Sequence, residues 1–97
     1  RRAQGFYDGA LELFRAGRPA AAARFFEQAL AQGFRHDTAA LHLVWSRWLA
    51  GDSDGARQAA GRFFLDPAVR TQRDRGPLKA AGRRILGMLT DRLGIAL

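Results

Sequence analysis

Apolar residues recur every three to four positions through most of the chain, which is the spacing of a helix that buries one face. The first such stretch, from about residue 4 to residue 16, places Phe6, Ala10 and Leu13 on one side. No segment alternates apolar and polar residues for long enough to predict a strand, and β-branched residues are few. The pattern therefore predicts an all-α fold.

Glycine and proline divide this pattern into helices joined by short turns. Gly17, Gly33 and Gly51 follow the first three apolar stretches. Glycine often ends a helix because it adopts the left-handed conformation without a steric penalty. Pro19 suits the first turn of the second helix. Helices joined by turns of a few residues pack as antiparallel neighbours, so that hairpins of two helices are expected.

Polar residues at the helix starts and a final apolar stripe complete the predicted architecture. Asp37 is expected to cap the third helix, and Ser53 or Asp54 the fourth. A fifth amphipathic helix is expected to begin at Pro77. The whole chain is then one helical domain, with a first hairpin at about residues 4–33, a second at 37–66, a basic connector at 67–76 and a capping helix at 77–94.

The two hairpins share one repeat period, which separates Gly17 from Gly51 and equally Ala22 from Ala56. This period of about 34 residues is typical of tetratricopeptide repeats, each of which is a helix, a tight turn and a second helix. The first unit has large and small residues where this family has them, at Phe6, Ala10, Leu13, Gly17, Ala22, Phe26 and Ala29. The chain resembles the tetratricopeptide repeat family over about residues 3–68.

The second unit keeps Leu43, Gly51 and Ala56 but departs from the family pattern elsewhere. Arg47 stands where a large tyrosine-like residue is usual, and Val44 stands where a small residue is usual. The resemblance implies two antiparallel helical hairpins and a C-terminal capping helix, in a fragment of a right-handed α-α superhelix. A generic bundle of helical hairpins is the alternative fold.

Composition narrows the class of protein without naming a partner. The chain has 97 residues, 47 % of them hydrophobic, which suits a single folded domain with a modest core. No apolar run approaches the roughly 20 residues of a membrane helix. No membrane span is therefore expected, and a soluble protein of the cytoplasm is favoured. The chain begins at Arg1 without a methionine, so a mature form, a protease-trimmed product and a piece of a larger protein are all open. We favour the last, because helical repeat units are often parts of longer chains.

The residue types that catalysis or metal binding would need are sparse. The absence of cysteine excludes disulfides, thiolate metal sites and a cysteine nucleophile. His36 and His42 lie six residues apart with a loop between them, which is not the spacing of metal ligands. Asp8 and Glu12 are expected on a solvated helix face. We therefore expect a non-catalytic protein with no cofactor and no metal.

A binding surface is the more promising feature. In the tetratricopeptide family the first helix of each repeat lines a concave groove, so the resemblance implies a protein-protein interaction module that takes a peptide or helix from another protein. The groove-facing family positions correspond here to Tyr7, Leu11, Phe14, Arg15, Leu41, His42, Trp45, Trp48 and Leu49, with Lys79 and Arg83 at the end of the groove. The alternative for Trp45 and Trp48 is that both belong to the core.

The basic character of the chain supports other hypotheses. The formal net charge is +7, and 15 of the 16 basic residues are arginine. Nucleic acid or an anionic surface would bind through an Arg-rich C-terminal patch formed by Arg70, Arg73, Arg75, Lys79, Arg83 and Arg84. The codon usage of a GC-rich genome would produce the same composition without such a function. A homo-oligomer through Phe63, Phe64 and the C-terminal helix is a further hypothesis.

Overall fold

A computed structural model describes residues 2–34 and 37–64, together with Gly87, Asp91 and Arg92. In the first two of these ranges the chain forms α1 (Arg2–Arg15), α2 (Pro19–Ala31), α3 (Asp37–Leu49) and α4 (Ser53–Phe64), with no strand. The predicted all-α class is therefore confirmed for the described residues. Gly87, Asp91 and Arg92 have helical backbone. The connector predicted at 67–76 and the rest of the helix predicted at 77–94 lie outside the described residues.

The first three helices end in the same backbone motif. Gly17, Gly33 and Gly51 have φ angles of 74°, 88° and 85°, a region that favours glycine because a Cβ atom would be strained there. In each motif the glycine N–H donates to the carbonyl three residues earlier, and the next N–H donates to the carbonyl five residues earlier. These two bonds satisfy carbonyls that have no partner inside the helix. The predicted helix ends are confirmed at all three glycines.

The start of α4 corrects the predicted cap. The Asp52 carboxylate accepts a hydrogen bond from the backbone N–H of Gly55, with Oδ1 2.9 Å from the nitrogen. A capping side chain reaches the N–H three residues ahead only from the position just before the helix. Ser53 and Asp54 already lie inside α4, so the prediction that one of them is the cap is wrong. Asp54 instead forms an exposed ion pair with Arg57 at 3.0 Å.

Successive helices pack against one another, α1 on α2, α2 on α3 and α3 on α4. Small side chains lie in the core, where they allow neighbouring helices to approach closely. Ala22 and Ala56 are each 0 % exposed. Phe26 and Leu43 are large side chains that are also 0 % exposed. α3 packs against both α2 and α4, and Ala39, Ala40, Leu43 and Val44 on it are almost completely buried.

Arg47 connects three of the helices. Its guanidinium donates to the Gly55 carbonyl at 3.0 Å through Nη1, and to the Glu27 carboxylate through Nη2. Its side chain is only 20 % exposed, so these bonds replace much of the hydration that the charge loses on folding. The resemblance to the tetratricopeptide repeat family implies a large tyrosine-like residue at this position, where the chain has a cation. The neighbouring carboxylate and carbonyl explain why the fold accepts it.

Within the described part of the chain, no helix combines the length and the apolar character that crossing a membrane requires.

Candidate functional site

Aromatic rings from α1, α2, α3 and the turn before α3 meet in one contiguous group. We call this group the aromatic cluster, and its members are Tyr7, Phe14, Phe26, Phe34, His42 and Trp45. Phe14 and Trp45 meet edge to face, with ring centroids 5.0 Å apart and planes at 63°. Tyr7 stacks on Phe34 at 4.9 Å. Both arrangements are favourable for aromatic quadrupoles and hold the rings in defined positions.

The aromatic cluster has a buried base and a partly exposed upper side. Phe26 forms the base, with 0 % exposure, and its ring lies 5.9 Å from Tyr7 and 6.4 Å from Phe14. Tyr7, Phe14 and Trp45 are each half-buried. The cluster therefore presents part of its aromatic surface to solvent above a buried ring.

His42 lies inside the aromatic cluster, between Phe14 at 5.2 Å and Phe26 at 5.4 Å. Its Nδ1 atom is 2.7 Å from the Thr38 carbonyl oxygen. A carbonyl only accepts, so Nδ1 carries the proton and Nε2 is the ring nitrogen left to accept. Burial lowers the pKa of His42 below its usual 6.5, the bond to Thr38 raises it, and the positive charge of Arg15 lowers it. His42 is therefore a neutral member of the cluster near neutral pH.

This environment predicts that the folded chain loses stability on mild acidification. The unfolded chain takes up a proton on His42 near pH 6.5, whereas the folded chain does so only at lower pH. As pH falls from about 7.5 towards the folded-state pKa, the free energy of unfolding should fall by up to about 1.4 kcal/mol per pH unit, and then level off. Urea denaturation at several pH values measures this slope.

The matched control for the pH prediction is His42→Gln, which cannot titrate. Other titratable groups contribute equally to both proteins, so the difference between the two slopes isolates His42. We expect the variant to lose less stability than the wild type between about pH 7.5 and pH 5.5. Equal slopes in the two proteins would show that His42 does not titrate differently in the folded and unfolded chains.

The structure brings together part of the predicted groove. Phe14, His42 and Trp45 contact one another. Leu49 is 49 % exposed at the end of α3. Leu41 is 2 % exposed, which corrects its assignment to the groove: it belongs to the core and is not available to a partner. Two further predicted groove residues lie on α1. Leu11 is half-buried and Arg15 is exposed.

Trp48 has a partner that the sequence did not indicate. The guanidinium carbon of Arg92 lies 5.7 Å from the centroid of the Trp48 ring, within the range of cation–π attraction. Trp48 is half-buried, so the structure places it neither fully in the core nor fully in an open groove. The other predicted basic residues, namely Lys79, Arg83, Arg70, Arg73, Arg75 and Arg84, lie outside the described residues, as do the side chains of Phe63 and Phe64.

Sequence reasoning missed Phe34 as a member of the aromatic cluster. Phe34 follows Gly33, and its N–H closes the turn onto the Ala29 carbonyl. Helices that end in this motif frequently place an apolar residue after the glycine, where it folds back onto the last turn. A phenylalanine directly after a helix-ending glycine was therefore the signal that could have identified it.

An exposed aromatic residue, Phe25, lies outside the aromatic cluster. Phe25 is 39 % exposed and meets Phe6 edge to face at 6.0 Å. A Cβ atom on Gly9 would come within 3.0 Å of the Phe25 ring, so glycine permits this close approach. Phe25 does not contact the aromatic cluster through any ring pair in the described residues, which makes it a useful control position.

Residues 2–34 and 37–64 define an all-α protein of packed helices with a partly exposed aromatic cluster on α1 and α3. In this part of the chain, no three histidine, aspartate or glutamate side chains converge as a metal site would require. The chain matches no known protein family, no curated protein and no solved structure.

Proposed function

We propose that this chain is a non-catalytic protein-protein interaction module that binds a peptide or helix of another protein on the exposed side of the aromatic cluster. One observation carries the proposal: Phe14 and Trp45 are half-buried and held edge to face over a fully buried Phe26. Aromatic side chains that are fixed before binding lose little conformational entropy when a partner arrives. Such residues dominate the energetics of protein interfaces.

Two further observations support the tetratricopeptide character of the proposed module. The glycine turn at Gly17 recurs one repeat period later, at Gly51. The two alanines with the same spacing, Ala22 and Ala56, are both fully buried. A scaffold or adaptor built on such repeats would present the aromatic cluster on the first helix of each unit, as part of a larger protein.

Truncation of Trp45 to alanine is expected to weaken the binding of a selected peptide by about 2 kcal/mol, or roughly thirtyfold, as for an interface hot spot. A peptide selected from a random display library against the wild-type chain supplies the ligand, and fluorescence anisotropy measures its affinity. Phe25→Ala is the matched control, because it removes an exposed aromatic ring that lies outside the aromatic cluster. It should change the affinity less than twofold, or by less than about 0.5 kcal/mol.

Circular dichroism must show that each variant keeps the helical content of the wild type. A folded Trp45→Ala, Trp48→Ala double variant that binds the peptide with full affinity would rule out the aromatic cluster as the binding surface.

The +7 net charge favours a second candidate function, the binding of nucleic acid or an anionic surface. Electrostatic binding to phosphates weakens steeply as salt rises, because counterions are released. A fluorescent single-stranded oligonucleotide, measured beside the selected peptide, separates the two functions. Tight, salt-sensitive binding of the oligonucleotide that survives the Trp45→Ala change would favour this second candidate over the first.

A further inference from the structure

Charge is distributed unevenly around the aromatic cluster. Between Thr38 and Leu49, α3 carries one formally charged residue, Arg47, and this guanidinium is paired with Glu27 and the Gly55 carbonyl. The described α3 side chains from Thr38 to Leu49 therefore include no carboxylate. A partner that approaches Trp45 on this side meets aromatic and aliphatic surface without negative charge.

The α1 side of the cluster carries an exposed cation. Arg15 follows Phe14 in the chain and is exposed, and its positive charge contributes to the lowered pKa of His42. Glu12 lies three positions before Arg15, on the same side of α1, but these two described side chains form no ion pair. Asp8 lies farther towards the start of α1, where it accepts a hydrogen bond from Gln4 at 2.9 Å.

A second cation lies beyond Trp45 along α3. Arg92 is exposed and its guanidinium lies over the Trp48 ring at 5.7 Å. Stacking on a ring leaves the edge of a guanidinium able to donate hydrogen bonds, and its planar fork matches a carboxylate. One exposed arginine thus follows Phe14 on α1, and a second lies over Trp48, three positions after Trp45 on α3.

We propose that the partner is an acidic peptide segment, in which an aromatic or aliphatic anchor is flanked by aspartate or glutamate side chains. This inference rests on the proposed function and specifies its ligand. The anchor packs on Phe14 and Trp45, and the flanking carboxylates pair with Arg15 and Arg92. Recognition uses side-chain carboxylates, so a free C-terminus on the peptide is not required.

The test begins with peptides selected from a random display library against the whole chain. The selected sequences should contain more Asp and Glu, and less Lys and Arg, than the unselected library. The best peptide is synthesised with an amidated C-terminus, beside a variant in which each Asp or Glu becomes Asn or Gln. We expect the neutral variant to bind about tenfold more weakly, and the difference to shrink as salt is raised.

Reversing the charge of an arginine on the protein tests the same ion pairs between peptide and protein. Arg15→Glu should weaken the acidic peptide about tenfold, and Arg15→Gln by a smaller factor. Arg24→Glu is the matched control, because it makes the same charge change at an exposed position on α2 and should alter the affinity less than about twofold. Because Arg15 and Arg24 are both exposed, the helical content should stay unchanged.

The outcomes distinguish this inference from the proposed function. Peptides that bind through Trp45 but show no acidic preference, or that bind Arg15→Glu and wild type equally, would overturn the acidic-partner inference and leave the interaction module standing. Failure of the library to yield any peptide dependent on Trp45 would overturn both. Acidic peptides that lose affinity with Arg15→Glu, and keep it with Arg24→Glu, would support both.

Discussion

Replacement of Phe26 by alanine is expected to lower the free energy of unfolding by about 3–5 kcal/mol, the largest effect of any single change considered for this chain. Phe26 is 0 % exposed and contacts Tyr7, Phe14 and His42. Its removal leaves a cavity below rings that come from two other helices. A domain of this size has a total stability of about 5–15 kcal/mol, so the variant should be only marginally folded.

The preceding residue provides the control for Phe26. Phe25→Ala makes the same change on the same helix, but the Phe25 side chain is 39 % exposed and meets one ring, Phe6. We expect this change to lower the free energy of unfolding by about 1 kcal/mol, which is the energy of one aromatic pair plus part of the energy of burying the ring. Urea denaturation followed by circular dichroism measures both values. Similar losses for the two variants would show that Phe26 does not form the base of the aromatic cluster.

Replacement of Ala22 by leucine is expected to lower the free energy of unfolding by about 3 kcal/mol, at the upper end of the range for overpacked cores. Ala22 is 0 % exposed in α2, and close-packed interiors have no empty volume for three further carbon atoms. The added side chain must move helices apart or adopt a strained rotamer. This prediction depends on the closeness of the helices, which is also what a repeat of helical hairpins requires.

Ala20→Leu provides the matched control, because Ala20 is exposed on the same helix. It should change the free energy of unfolding by less than about 0.5 kcal/mol. Thermal unfolding should separate the pair clearly, since about 1 kcal/mol corresponds to roughly 4–8 °C in a domain of this size. If Ala22→Leu is as stable as Ala20→Leu, the hairpin helices are not closely packed at this alanine.

The helices could be predicted well because helix formation and helix termination depend on residues that are close together in the chain. The conformation of Gly17, Gly33 and Gly51 depends on the residue type and its immediate neighbours, and the amphipathic spacing requires only the chain itself. The cap of α4 was misassigned by a single residue. Ser53 and Asp54 are both good capping residues, and only the hydrogen bond from Gly55 to Asp52 identifies the residue that precedes the helix.

The candidate site was only partly predictable, because its surface depends on residues distant in sequence. The family pattern pointed to Phe14, His42 and Trp45, and the structure brings their rings together. The same pattern pointed to Leu41, yet that side chain is buried. Positions on one helical face share a direction, but their exposure is set by the other elements that pack nearby.

The sequence by itself determined the all-α class and the glycines that end the first three helices. These features follow from backbone conformation and apolar spacing within each segment. Only the tertiary structure decided that Arg47 joins Glu27 to Gly55 and that Arg92 lies over Trp48. Those contacts join residues of different helices, so no local preference of the chain could specify them.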